Sequence, residues 1–182
     1  MELWWAFLLL GAAVGFFAGL LGVGGGSLMV PVLTTLFASL HFMPQQQLHL
    51  ALGTSMAAII ITSIASARSH QRHGAVLWPV VRLMSVGVVL GTFSASLIAA
   101  QVPQLPLAIF FSCFMSYVAL QLLLNIKPKP GRELPGSAGM TGVGAGIGAI
   151  SALVAIGGGS LTVPFLTWCN VKIQQAIGTS AA

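Results

Sequence analysis

Acidic side chains are nearly missing from this chain: two Asp and Glu in 182 residues, against seven Lys and Arg. The two acids are Glu2 at the start and Glu133 in a Pro-rich stretch. That excludes paired-carboxylate chemistry and leaves no mid-membrane carboxylate to relay protons. No His stands in a metal-like cluster and no nucleophile has a neighbouring base, so the chain is read as no enzyme. Cysteine is equally scarce. Cys113 and Cys169 lie in or beside apolar segments without metal spacing, and are read as buried free thiols. Neither triple glycine is followed by the Lys of a phosphate-binding loop. The Gly142-x-Gly144-x-Gly146-x-Gly148 series lies in an apolar run with no strand before it and no acid about twenty residues after it, so it is no dinucleotide fingerprint. No cofactor and no metal is implied.

What fills the chain instead is apolar: hydrophobic residues make up 57 % of it, charged residues 5 %, and the mean hydropathy is +0.98. Such a composition cannot cover a water-facing surface and marks an integral membrane protein whose solvent is the lipid bilayer. A formal charge of +5 would elsewhere suggest nucleic acid. Here the cations fall mainly in two short stretches, 68–74 and 127–137, and membrane orientation accounts for them without any nucleic acid. Both are therefore expected on the cytoplasmic side, and the two spans between them agree. Met1-Glu2-Leu3-Trp4-Trp5 lacks the basic start of a secretory signal, so the first span is expected to be kept. A bilayer core of about 30 Å takes roughly 20 helical residues, which predicts crossings at 3–23, 50–67, 75–99, 105–126 and 138–156, with a further one starting near Ile173. Trp4, Trp5, Trp78 and Trp168 fall near predicted span ends, where aromatic belts form.

The sequence also repeats itself. Gly24-Gly25-Gly26-Ser27-Leu28-Met29-Val30-Pro31 returns as Gly157-Gly158-Gly159-Ser160-Leu161-Thr162-Val163-Pro164, an offset of 160 − 27 = 133. Gly53-Thr54-Ser55 returns as Gly178-Thr179-Ser180, an offset of 178 − 53 = 125. The fold class expected is all-α: a polytopic membrane protein with two homologous repeats. The first repeat is placed at 1–126, the basic Pro/Gly-rich linker at 127–137 and an incomplete second repeat at 138–182. The short apolar pieces 27–40 and 160–168 are predicted to be Gly-broken or re-entrant half-helices. Their repeat-matched part of about ten residues spans only about 15 Å. Each Pro is expected in a first helical turn, after a triple glycine acting as an unwound link. Four crossings per repeat would make the copies parallel and five would invert them. The sequence leaves both open. The second copy stops where the first reaches Ala57, so a longer permease, or a homo-oligomer, is expected to cover the helix faces left over.

Three consecutive glycines reach backbone conformations closed to other residues, and their N–H groups can converge as an anion nest. A half-helix that follows adds the positive end of its dipole. The expected substrate-binding set is therefore Gly24, Gly25, Gly26, Ser27, Gly157, Gly158, Gly159 and Ser160, with Thr54, Ser55, Thr179 and Ser180 as candidate polar lining. For those last four, bonding within their own helical turn is the competing reading. Gly11, Gly15 and Gly19 are read as a packing stripe. Arg82, the one cation inside a span, either snorkels to the headgroups or lines an anion path. His49 is replaced by Gln174 in the second copy, so it has no symmetric role.

On Gly22-x-Gly24-Gly25-Gly26-x-Leu28-x-Val30-Pro31-x-Leu33, Ala51-x-Gly53-Thr54-Ser55 and Arg72-x-Gly74, with the first two repeated, the chain resembles the TauE/SafE family of membrane permeases, the sulfite exporter group. Ala155 stands where the first copy has Gly22. The resemblance implies a multi-pass bacterial inner-membrane transporter of a small anion such as sulfite, a sulfonate or a related sulfur-containing organic anion. Two other readings stay open. One is a passive anion channel, and the other a non-transport membrane scaffold or assembly protein whose glycines only pack.

Overall fold

The structure is a computed structural model, and the residues it describes are 3–21, 25–40, 45–124 and 131–182. Eight helices follow one another among them: α1 (Leu3–Leu21), α2 (Gly25–Ser39), α3 (Gln47–Arg72), α4 (Trp78–Ala99), α5 (Gln104–Leu123), α6 (Ser137–Val154), α7 (Gly159–Trp168) and α8 (Ile173–Ser180). Four of them, α3 to α6, contain stretches long and apolar enough to cross a membrane. Their outward faces are rich in large apolar side chains, with Ile61 74 % and Leu105 72 % exposed. Water would penalise that surface; lipid does not.

The predicted spans and the helices coincide closely, with three corrections. α3 runs on through Arg68 to Arg72, so most of the first basic stretch is the last turns of a helix rather than a loop. Gly25, Gly26 and Gly159 belong to the first turns of α2 and α7 instead of preceding them. Pro31 and Pro164 consequently fall inside these helices rather than in a first turn. There a proline gives no N–H to the carbonyl four residues back and loosens the helix. Both cysteines are free, yet only Cys169 is buried; Cys113 is exposed on α5.

Specific contacts set the helix directions. Gly144 of α6 lies against Met84 of α4 and Gly148 against Val88, so both helices advance together and run parallel. The His49 ring nitrogen Nε2 lies 3.2 Å from the Ala99 carbonyl oxygen, tying the start of α3 to the end of α4, so these two are antiparallel. Gly26 faces Ser55 while Val30 and Leu33 share a core with Leu48, Ala51 and Leu52, which makes α2 antiparallel to α3. α2 is therefore parallel to α6. The equivalent helix α7 runs the other way. Its Trp168 carbonyl accepts the Gly131 and Arg132 amides at 3.3 Å, in the stretch leading into α6, while 155–158 joins the opposite ends. Equivalent helices with opposite directions define an inverted repeat, resolving the alternative that the sequence left open.

Candidate functional site

The site is built where α6 stops. Ala155 adopts a left-handed conformation with φ 50° and ψ 33°, ending the helix in a geometry that glycine takes at lower cost. This is the position matched by Gly22 in the first copy, which lies outside the described residues. The turn passes through Ile156 and Gly157 to Gly158, whose carbonyl accepts the Thr162 amide at 2.8 Å and so starts α7.

Gly26, in the first turn of α2, sits directly on this turn. A Cβ there would lie 2.8 Å from the Ala155 carbonyl carbon, overlap its oxygen, and stand 3.2 Å from the Ser55 hydroxyl oxygen. Only glycine allows that approach. Gly157 in turn faces the Ile59 side chain of α3, 3.5 Å from where its Cβ would be. The two glycine motifs therefore meet through Gly26 and Ala155. Within each repeat the same pair recurs: Gly26 faces Ser55, and Gly159 faces Ser180, at 3.7 Å from the Cβ position.

The hydroxyls divide sharply by what they bond. Ser55 is fully buried, and neither its Oγ nor the buried Oγ of Ser160 has a hydrogen-bond partner among the described residues. Ser27 is buried beside Gly26. Thr54, by contrast, donates to the Leu50 carbonyl at 2.7 Å on an exposed face. Ser180 donates to the Ile177 carbonyl at 2.8 Å. Thr179 accepts the Leu77 amide at 3.0 Å and thereby clasps the start of α4. Gly178 beside it packs on Ala75, 2.5 Å from its carbonyl oxygen to the Cβ position. Packing thus engages Gly178 and Thr179, self-bonding engages Thr54 and Ser180, and Ser55 and Ser160 keep free donors. The surroundings of Gly25, and Gly24 altogether, lie outside the described residues.

Arg82 is exposed on α4, off the face through Val80, Met84, Gly87 and Gly91 that is buried. Arg132 stacks its guanidinium 4.6 Å from the Trp168 ring centre, and Glu133 is exposed in the same stretch. No cluster of three metal-ligating side chains occurs among the described residues. In the sequence Ala155 simply stands where the first copy has Gly22. Its alignment with Gly22 was the available sign that the backbone there turns left-handed.

Chemically, the positive ends of two helix dipoles and two hydroxyls unpaired among the described residues can stabilise an oxyanion without a fixed cation. Among relatives of known sequence, a probable membrane transporter protein of Haemophilus influenzae is 38 % identical over 176 residues, covering 96 % of this chain and 66 % of that protein. One from Xylella fastidiosa is 31 % identical, covering 93 % of this chain and 65 % of that protein. A third, from Methanocaldococcus jannaschii, is 26 % identical, covering 95 % of this chain and 65 % of that protein. The chain spans about two thirds of the length of the curated relatives it matches. No solved structure matches it. The family described as Sulfite exporter TauE/SafE matches over residues 7–182, nearly the whole chain including both copies of the motif, and the chain belongs to that family.

Proposed function

We propose that the protein is a secondary transporter of a small anion, namely sulfite, a sulfonate or a related sulfur-containing organic anion. In this reading it works in the bacterial inner membrane, with the stretches 68–74 and 127–137 facing the cytoplasm. The observation carrying the proposal is the pair of buried, unpartnered hydroxyls, Ser55 Oγ and Ser160 Oγ, beside the starts of α2 and α7. A buried hydroxyl without a partner costs free energy unless something completes its bonding. An oxyanion supplies acceptor oxygens for both hydroxyls. Its charge meets the positive ends of two helix dipoles. The names of the relatives, membrane transporters without a stated substrate, agree with transport and leave the anion to the site chemistry.

The family description supplies the sulfur-containing class. The inverted repeat supplies the means: the same site rocked between two symmetry-related arrangements opens alternately to each side. The expected result in proteoliposomes is saturable sulfite uptake, inhibited by sulfonates and weakly or not by carboxylates. Flux rising linearly with concentration would replace the transporter by a channel. Failure of every anion in the panel to move or compete would leave the glycine motifs as packing elements of a scaffold.

A further inference from the structure

The inverted repeat makes each contact in one half a template for the other half. α4 of the first repeat is seated on α6 through glycines on both sides. A Cβ on Gly144 would lie 2.6 Å from the Met84 carbonyl oxygen, and one on Gly148 2.8 Å from the Val88 Cα. On α4, Cβ atoms at Gly87 and Gly91 would lie 2.8 Å from the Ala145 nitrogen and 2.7 Å from its carbonyl carbon. Two hydrogen bonds cross the seam: Thr92 to the Gly148 carbonyl at 3.2 Å and Thr141 to the Leu83 carbonyl at 3.1 Å. The seat is completed by α8, whose Gly178 and Thr179 hold Ala75 and Leu77 at the entry to α4.

The offset of 148 − 15 = 133 carries Gly144 and Gly148 onto Gly11 and Gly15 of α1, and the offset of 179 − 54 = 125 carries Gly178 and Thr179 onto Gly53 and Thr54 of α3. All four residue types are kept. None of the contacts is made among the described residues: nothing in them lies within 4 Å of the Cβ positions of Gly11, Gly15 or Gly53. Thr54 is exposed and bonds its own Leu50 carbonyl. Small residues that clamp a helix in one half are exposed in the other.

We infer that Gly11 and Gly15 of α1, with Gly53 and Thr54 of α3, form a helix-docking surface. Its occupant is an α4-like membrane helix that continues the second repeat beyond its Gly-Thr-Ser segment. That helix is uncharged at the seam, runs parallel to α1, and carries small residues four apart. It enters through a turn whose backbone N–H bonds Thr54, as Leu77 bonds Thr179. The relatives have the length for it, since a third of each lies outside the match. The seat of α4 on α6 gives the geometry directly.

A synthetic peptide of residues 74–99 is the probe, because it is the α4 sequence itself. With cysteine replacing Leu83 in the peptide, it is added in liposomes to the full chain carrying Leu8→Cys, the position matched by Thr141, in a Cys113→Ala background. The chain without Leu8→Cys sets the background. A short bismaleimide is expected to couple peptide to protein at least ten-fold more than a scrambled peptide does. Adding Gly15→Leu should abolish coupling while the protein stays monodisperse. Equal coupling of the scrambled peptide, or coupling indifferent to Gly15→Leu, would overturn the proposal. So would a protein-to-protein crosslink at Leu8→Cys that the peptide fails to displace, since a second copy would then be the occupant.

Discussion

Replacing Ser55 by Ala separates a binding hydroxyl from a structural one, because the two roles move stability in opposite directions. Ser55 is fully buried on α3 opposite Gly26, and its Oγ has no partner among the described residues. In the empty protein that hydroxyl carries a desolvation cost of about 1–3 kcal/mol that no bond returns. Ala fills nearly the same space, so Ser55→Ala is expected to leave the ligand-free protein as stable or up to about 2 kcal/mol more stable. Each 1 kcal/mol corresponds to roughly 2–4 °C in melting temperature for a chain of this size. With an oxyanion bound, the same change removes a charge-assisted bond of about 1.5–3 kcal/mol, raising the dissociation constant about 10- to 150-fold.

Thermal shift in detergent with and without sulfite reads both terms. At sulfite 100 times its dissociation constant, the parent protein gains about 2.7 kcal/mol from the ligand. A variant weakened about 100-fold gains only about 0.4 kcal/mol at the same concentration. Sulfite flux in proteoliposomes at low substrate should fall in proportion to affinity. A lower melting temperature with sulfite stabilisation unchanged would refute the reasoning, since Ser55 would then hold the protein together and not the anion.

Four further substitutions probe the surroundings. Gly26→Ala would put a methyl 2.8 Å from the Ala155 carbonyl carbon and over its oxygen, with only backbone to yield; a loss of about 1–3 kcal/mol in stability and of sulfite flux is expected. Thr179→Val removes the acceptor of the Leu77 amide and should cost about 1–3 kcal/mol in thermal denaturation, whereas Thr54→Val should stay within about 0.5 kcal/mol. Arg82→Gln should leave the flux and its half-saturating concentration unchanged, because the side chain is exposed away from the buried face of α4; a raised half-saturating concentration would place Arg82 on the anion path.

The elements were legible because a bilayer fixes them by length and composition, which are local properties. α5 and α6 began within one residue of expectation, and α7 began at the glycine just before the predicted piece. Local signals could not say what each repeated polar residue does. Thr54 and Thr179 stand in the same tripeptide, yet one bonds its own turn and the other caps Leu77, 102 positions away. Repeat parity was hidden for the same reason, since it rests on long-range contacts such as His49 with Ala99. Comparing the copies after folding recovers part of what reading either alone conceals. The Gly26–Ser55 and Gly159–Ser180 pairs form in both halves, so they belong to the architecture that the repeats share. The hydroxyl that each half leaves unpaired differs, Ser55 in one and Ser160 in the other. An inverted repeat caught in one arrangement must break its own symmetry somewhere. Here the break falls on the two hydroxyls proposed to meet an anion, and a site that alternates between two sides would have to be unequal there.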